Sequence, residues 1–342
     1  MPADALTAAI KRLAHGASLG ADEAAAAFGD VMRGEATPAQ VAALLMALRV
    51  KGESPDEVAG AARALRGAML TLRADDAASL VDTCGTGGGA VPTFNISTAA
   101  ALVAAGAGAR IAKHGNRSFT TRSGSADVLE ALGVKIDVSV ESMERTLGEA
   151  GIVFMFAPLM HPAMRHVGPI RRELAIPTVM NIVGPLANPA GAGRQVVGVA
   201  DMTRLPLIAG ALNALGSVHA MVVHGEPGMD EISPLGPTHV IEIVAGQPLR
   251  EWTIEPGALG FRDATLADLA TGEPADNARL IEAVLAGGGP PGARAAVLLN
   301  AGAALYVGAL ADDYAGGVAN ATRALDAGAG MAALHRLRKA SV

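Results

Sequence analysis

From about residue 79 onward the chain alternates short apolar runs with amphipathic stretches, and no other feature restricts its fold as strongly. The runs are Leu80-Val81, Ala109-Arg110-Ile111-Ala112, Ile152-Val153-Phe154-Met155-Phe156, Gln195-Val196-Val197-Gly198-Val199 and His219-Ala220-Met221-Val222-Val223. Strand-length runs separated by helix-length segments are the mark of βαβ units, so an α/β domain with a mainly parallel central sheet is expected. Ligands of such sheets bind outside the carboxyl ends of the strands, and candidate site residues should cluster there.

The first 70 residues follow a different pattern. Thr37-Pro38-Ala39-Gln40 and Ser54-Pro55-Asp56-Glu57 each place a hydroxyl cap, a proline in the first helical turn and Gln or Glu three residues after the cap. A small all-helical N-terminal domain is therefore expected over residues 1–72, with the larger α/β domain over 73–342. His161 to Glu173 reads as a helix, and Gly184-Pro185-Leu186-Ala187-Asn188-Pro189 as a junction turn, so residues of about 162–188 are expected to pack back onto the helical unit. After Asp263 the chain is again Ala/Leu-rich and helical, and its basic end, His335-Arg336-Leu337-Arg338-Lys339, suits a helix C-terminus.

Composition narrows the function. A chain of 342 residues, 51% hydrophobic and 18% charged, can bury a large core. A net charge of −6 argues against a broad nucleic-acid or anionic-membrane surface, which needs clustered Lys and Arg. No signal-like start and no apolar run of about 18 residues is seen, so the cytoplasm is the expected location. The single cysteine, Cys84, excludes an internal disulfide framework and a Cys-cluster metal site, and reads as a small buried strand residue.

The segment Asp82-Thr83-Cys84-Gly85-Thr86-Gly87-Gly88-Gly89-Ala90 follows an expected strand and precedes Asn95-Ile96-Ser97-Thr98, which opens a helix running to about Gly106. Bare backbone amides and a helix start together form a phosphate or pyrophosphate cradle. The run fits a dinucleotide fingerprint only formally, since the next strand ends in Lys113-His114 rather than an acid, and no Gly-Lys-Ser/Thr follows as a Walker loop requires. Ala112-Lys113-His114-Gly115-Asn116-Arg117-Ser118 closes the next strand, so its amide and cations are expected at the same sheet edge. Lys113 offers a flexible point charge and Arg117 a rigid fork for phosphate oxygens, while His114 could hold a ring or a carbonyl and is a weak candidate for a catalytic base.

These motifs, with Ser123-Gly-Ser-Ala-Asp-Val-Leu-Glu-Ala-Leu-Gly133, His161-Pro-Ala-Met164, Arg171-Arg-Glu173, Gly184-Pro-Leu186, Asn188-Pro189, His224-Gly225 and Asp230-Glu231, resemble the anthranilate phosphoribosyltransferase family in order and spacing over about residues 5 to 335. The resemblance implies a nucleoside-phosphorylase-like fold, a homodimer joined through the helical part, and transfer of the phosphoribosyl group of phosphoribosyl pyrophosphate to anthranilate with magnesium, in tryptophan biosynthesis. It implies a phosphoribosyl pyrophosphate site made of Gly85, Gly88, Gly89, Thr93, Asn95, Ile96, Ser97, Thr98, Lys113, His114, Gly115, Asn116, Arg117, Ser118 and Ser125. It further implies an anthranilate site of Gly85, Asn116 and Arg171, with His161 and Pro185 lining the channel, and a metal site of Asp230 and Glu231 assisted by Ser97. Carboxylates next to a pyrophosphate would repel it unless a hard divalent ion lay between them, so Mg2+ is expected on physical grounds as well. An aromatic amine is already a neutral nucleophile, and no single side chain is expected to be essential as a base.

The chain departs from the family at one place. The loop usually runs Gly-Thr-Gly-Gly-Asp-Gly, whereas Gly89-Ala90 stand here, and a looser phosphoribosyl pyrophosphate site is expected from it. Alternatives are a related transferase acting on a modified aromatic acid, a pyrimidine nucleoside phosphorylase, and a non-catalytic relative that binds nucleic acid. The Lys-His-Gly-Asn-Arg segment and the acidic pair favour the transferase over the phosphorylase.

Overall fold

A computed structural model describes residues 4–118 and 122–342. Helices α1 (Asp4–Ala14), α2 (Ala21–Met32), α3 (Pro38–Lys51) and α4 (Pro55–Gly67) come first. Both proline-led starts form as the sequence predicts. The Thr37 hydroxyl accepts the Gln40 N–H and Gln40 Oε1 accepts the Thr37 N–H, and Ser54 and Glu57 exchange the same two bonds. Glu57 is fully buried because Leu19 N–H, Ser54 N–H and Lys51 Nζ all donate to its carboxylate.

The α/β part contains β1 (Val81–Gly85), α5 (Ile96–Gly106), β2 (Ile111–Gly115), α6 (Ser125–Ala131), α7 (Val140–Ala150), β3 (Ile152–Phe156), α8 (Ala157–Met160), α9 (Gly168–Leu174), α10 (Met180–Val183), β4 (Arg194–Gly198), α11 (Leu205–Ala214), β5 (His219–Gly225), β6 (Thr238–Val244) and β7 (Arg250–Ile254). Four more helices follow: α12 (Pro274–Leu285), α13 (Pro291–Val307), α14 (Tyr314–Asp326) and α15 (Ala329–Ala340). The strand order is β3-β2-β1-β4-β5-β6-β7, with β1 to β5 parallel and β6 and β7 antiparallel. All five apolar runs named from the sequence become the parallel strands. The antiparallel pair was not among the expected strands, although Thr238–Val244 and Arg250–Ile254 flank an Ala245-Gly246 turn that is a hairpin signal.

Alternation along the strands gives the sheet two apolar faces. Val81, Val196, Met221 and Val223 pack with α5 and α13, while Val197, Val199, Ala220 and Val222 share a core with α1 to α4 and α11. Helix α9 lies on α3 and α10 on α4, so residues beyond His161 return to the helical unit. The single helix expected from His161 to Glu173 is instead a short 3-10 stretch, Pro162–His166, followed by α9. Pro169 accounts for the break, since it has no N–H to donate to the Arg165 carbonyl one turn back, whereas Pro162 stands at a first helical position, where proline is tolerated.

Candidate active site

Strand order reverses between β1 and β4, which makes their carboxyl ends a topological switch point where doubly wound sheets bind ligands. Gly85 and Gly198 are register partners at that point. Both are glycine because Asp230 lies across them: a Cβ on Gly85 would sit 2.5 Å from Asp230 Oδ2, and one on Gly198 would collide with the Asp230 carbonyl. Gly225, ending β5, leaves room in the same way for the Glu231 carbonyl and Ser233. The strand-end glycines thus seat the Asp230-Glu231 segment in the crevice.

Asp230 Oδ2 accepts the Gly87 N–H at 2.8 Å, and Glu231 Oε1 accepts the Ser97 N–H at 3.1 Å, in the first turn of α5. The acidic pair is therefore half-buried and joined to the glycine loop and the helix start, not an exposed turn. Burial raises the pKa of both carboxyls, and Asp230 raises that of Glu231 further. Gly87 and Gly88 have φ of +70° and +79°, with open space where a side chain would stand, so this stretch of backbone is bare. No group of three or more His, Cys, Asp or Glu side chains among the described residues could hold a metal by itself. Two carboxylates beside an anion cradle are nevertheless what Mg2+ uses when phosphate oxygens and water complete its shell.

Successive strand residues point to opposite faces, and this divides the expected site residues into two groups. On the α5 face, the buried Lys113 Nζ donates to the Thr83 carbonyl and to Ser97 Oγ at 3.2 Å, and burial lowers its pKa although Asp82, and to a lesser degree Glu231, oppose the shift. The Thr98 hydroxyl, in the same helical turn, is buried and has no partner among the described residues. Toward the helical unit, His114 Nε2 meets His161 Nε2 at 3.1 Å, and Cys84 Sγ lies 3.9 Å from the Pro185 carbonyl. Burial pushes His114 down to about 3, with help from His161 and Lys113, and pushes His161 down to about 4. Both rings are thus neutral near pH 7 and accept protons poorly. Burial holds the Cys84 thiol protonated, in keeping with a strand residue rather than a reactive one.

Other expected residues have defined partners. Asn95 is tied by its side chain to Ser123 and Asn277, and Thr93 bridges Ala270. The Asn116 carbonyl accepts from Ala126 N–H and from Ser125 Oγ, while Gly115 lacks a Cβ that would strike Ser125 Oγ. The Ser118 N–H donates to Asp127. Arg117 does not join Lys113: its guanidinium pairs with Asp127 and Glu130 at 2.8 and 2.6 Å and lies over the Phe156 ring. Two neighbouring carboxylates on α6 outcompete the sheet edge for that fork. A Cβ at Gly89 would approach the Gly228 carbonyl to 3.0 Å and Asp230 Oδ1 to 3.4 Å, so this position is tight rather than empty. Burial lowers the guanidinium pKa at Arg66 and Arg171, and of the two Arg66 donates to the Leu186 carbonyl whereas Arg171 has no partner among the described residues.

Asp82 and Asn188 escaped sequence reasoning as interior residues of the site. Their two fully buried side chains meet at 2.8 Å across 106 positions of sequence, and the Asn188-Pro189 dipeptide was the only local signal.

A crevice of this kind, closed by a helical bundle on one face of the sheet, defines a two-part glycosyl transferase. The family described as "Glycosyl transferase family, helical bundle domain" matches residues 7–69, and "Glycosyl transferase family, a/b domain" matches residues 77–331. Within that class the chain belongs to the anthranilate phosphoribosyltransferase family. It is 50% identical over 331 residues to the anthranilate phosphoribosyltransferase of Anaeromyxobacter sp. strain K, and 48% identical over 328 residues to that of Roseiflexus sp. strain RS-1, covering 96% of each chain in both cases. The crystal structure of the Thermus thermophilus enzyme superposes with a TM-score of 0.91 at 41% identity, covering 97% of this chain and 99% of that one. The Saccharomyces cerevisiae enzyme in complex with PRPP and Mg gives 0.87 at 27% identity, covering 98% and 97%.

Proposed function

We propose that the chain transfers the phosphoribosyl group of phosphoribosyl pyrophosphate to the amino group of anthranilate, releasing pyrophosphate, as a step of tryptophan biosynthesis. One observation carries the donor half of this proposal: two half-buried carboxylates abut a bare glycine loop and a helix start, a combination that needs both an anion and a cation to complete it. Asp230 and Glu231 would hold Mg2+, which when bound neutralises the charge of the leaving pyrophosphate. Gly85, Gly88, Gly89, Ser97, Thr98 and Lys113 line the donor side, with Thr93, Asn95, Ser118 and Ser125 at its rim.

Arg171 supports the acceptor half, because a half-buried guanidinium without a partner among the described residues suits a planar carboxylate. His114, His161 and Pro185 form the wall facing the helical unit, and their neutral rings orient the acceptor without removing a proton from it. The amine attacks ribose C1 as pyrophosphate departs, and positioning supplies most of the acceleration.

In the same proposal residues 1–72 with about 162–188 form one unit and the remainder of 73–342 the other, two copies associate through the helical part, and the protein works in the cytoplasm. No helix among the described residues is long and apolar enough to cross a membrane. The test is to supply the purified protein with phosphoribosyl pyrophosphate, magnesium and either anthranilate or no acceptor, and to follow pyrophosphate release and product mass. Anthranilate-dependent release with the mass of phosphoribosylanthranilate is expected. Release of uracil from uridine and phosphate, with none from the expected pair, would indicate a nucleoside phosphorylase instead.

A further inference from the structure

Adjacent parallel strands in this sheet pair along their length: β2 with β3, and β1 with β4, each through five registered residues. Between β1 and β2 only Val81 and Ile111 are registered. Beyond that pair the ladder opens, and side chains take over the backbone groups it leaves. Asp82 Oδ1 accepts the His114 N–H at 3.1 Å, Asn188 Nδ2 donates to the Ala112 carbonyl at 2.8 Å, and Lys113 Nζ donates to the Thr83 carbonyl. Asp82 Oδ2 accepts the Asn188 amide at 2.8 Å, and Asn188 Oδ1 accepts the Ala190 N–H at 2.9 Å. Asp82 is 0% exposed and Asn188 2%, so no water substitutes for these bonds.

We propose that Asp82 and Asn188 are a positioning pair that props β1 and β2 apart and fixes the Gly184–Pro189 turn against His114, setting the acceptor side of the cleft while leaving the donor side to other residues. This rests on the proposed transfer to anthranilate. The bonds from the pair hold β2 at Ala112 and His114, on either side of Lys113, and strand alternation then sends Lys113 to Ser97 on one face and His114 to His161 on the other. The turn it anchors carries Pro185, whose carbonyl also accepts from Gln195 Nε2 at 2.9 Å. Every oxygen of the Asp82 carboxylate faces an N–H donor, which suits the ionised form even though burial raises its pKa, and the nearby Lys113 charge offsets part of that rise.

Asp82→Asn brings an amide N–H against either the Asn188 amide or the His114 N–H, Asn188→Ala removes the donor shared by Asp82 and the Ala112 carbonyl, and the double variant Asp82→Asn with Asn188→Ala closes a cycle in which residues that act as a pair give losses that do not add. With both substrates varied, Asp82→Asn is expected to raise the KM for anthranilate about tenfold, the effect of one buried polar mismatch, and to leave that for phosphoribosyl pyrophosphate within about twofold. The double variant is expected to raise the KM for anthranilate by about the larger of the two single effects, well short of their product. Equal changes in both KM values, unchanged kinetics, or a double variant whose effect is the product of the two single effects overturns the pair. Should Asp82→Asn fail to fold, Asn188→Ser supplies the single variant. The wild-type chain run alongside separates the two proposals, since absence of wild-type turnover counts against the function alone. In that case hydrogen exchange at the His114 amide decides: loss of protection in Asp82→Ala, which takes away the acceptor of that N–H, is expected, and unchanged protection overturns the pair.

Discussion

Replacing Gly85 by Ala isolates the contribution of the Asp230 carboxylate, because residue 85 has no side-chain function to lose. The new Cβ would stand 2.5 Å from Asp230 Oδ2 and 3.2 Å from both its Cγ and its carbonyl oxygen. The first contact is shorter than atoms tolerate, and the carboxylate must rotate away. That rotation breaks its 2.8 Å bond from the Gly87 N–H, a charge-assisted bond worth roughly 1.5–3 kcal/mol. If the carboxylate holds the metal, the loss appears as about a ten- to hundredfold fall in kcat/KM and as a higher magnesium requirement. Stability should change little, since the atom displaced is the end of a flexible side chain. Gly198→Ala provides the contrast: its Cβ meets the Asp230 main chain, which cannot swing aside, so the same activity loss should come with destabilisation of about 1–3 kcal/mol or more. The assay is initial rate against magnesium concentration for each variant, with circular dichroism to follow melting. A Gly85→Ala protein with wild-type rates and an unchanged magnesium curve refutes the placement of Asp230 at the centre of the site.

Glu231→Gln, which keeps an acceptor for the Ser97 N–H but removes a charge, should raise the magnesium concentration giving half-maximal rate by about tenfold or more; an unaltered curve counts against the metal assignment. His114→Ala should retain measurable turnover, because a ring whose pKa is near 3 is not a base at neutral pH, and loss of nearly all turnover with intact substrate binding contradicts this. His114 and His161 have folded pKa values below the ordinary 6.5, so the unfolded chain binds protons first as pH falls. Their contribution to stability is whole above about pH 6.5 and declines as pH drops toward 4, and denaturant midpoints for the wild type and His161→Gln should converge over that window. Ala309 has φ +59° just past the end of α13, where Ala309 N–H bonds the Tyr306 carbonyl and Leu310 N–H the Leu305 carbonyl, the position normally filled by glycine. Ala309→Gly should stabilise the protein by about 0.5–1 kcal/mol in urea titration, and a loss of stability refutes the strain.

Much of this architecture is visible in the sequence where the forces are local. The caps at Thr37 and Ser54 depend on residues three positions apart, and the parallel strands on runs of about five residues, so both emerge from short windows. The glycine loop was readable for the same reason, since bare backbone next to a helix start has one strong physical use. Three features were not readable. Arg117 looks like a phosphate fork until α6 folds Asp127 and Glu130 beside it. Gly198 and Gly225 look like ordinary strand residues until a segment more than thirty positions from the first, and only a few from the second, crosses both strand ends. Asp82 meets Asn188 across 106 positions of sequence, a tertiary contact with no periodic trace in the chain.

The most direct test is the loss of anthranilate fluorescence when the purified protein is mixed with anthranilate, phosphoribosyl pyrophosphate and magnesium, run beside a sample without metal. Rapid loss that requires both phosphoribosyl pyrophosphate and the metal is the expected result. No loss at millimolar substrate, from a folded protein with magnesium present, would contradict the proposed activity.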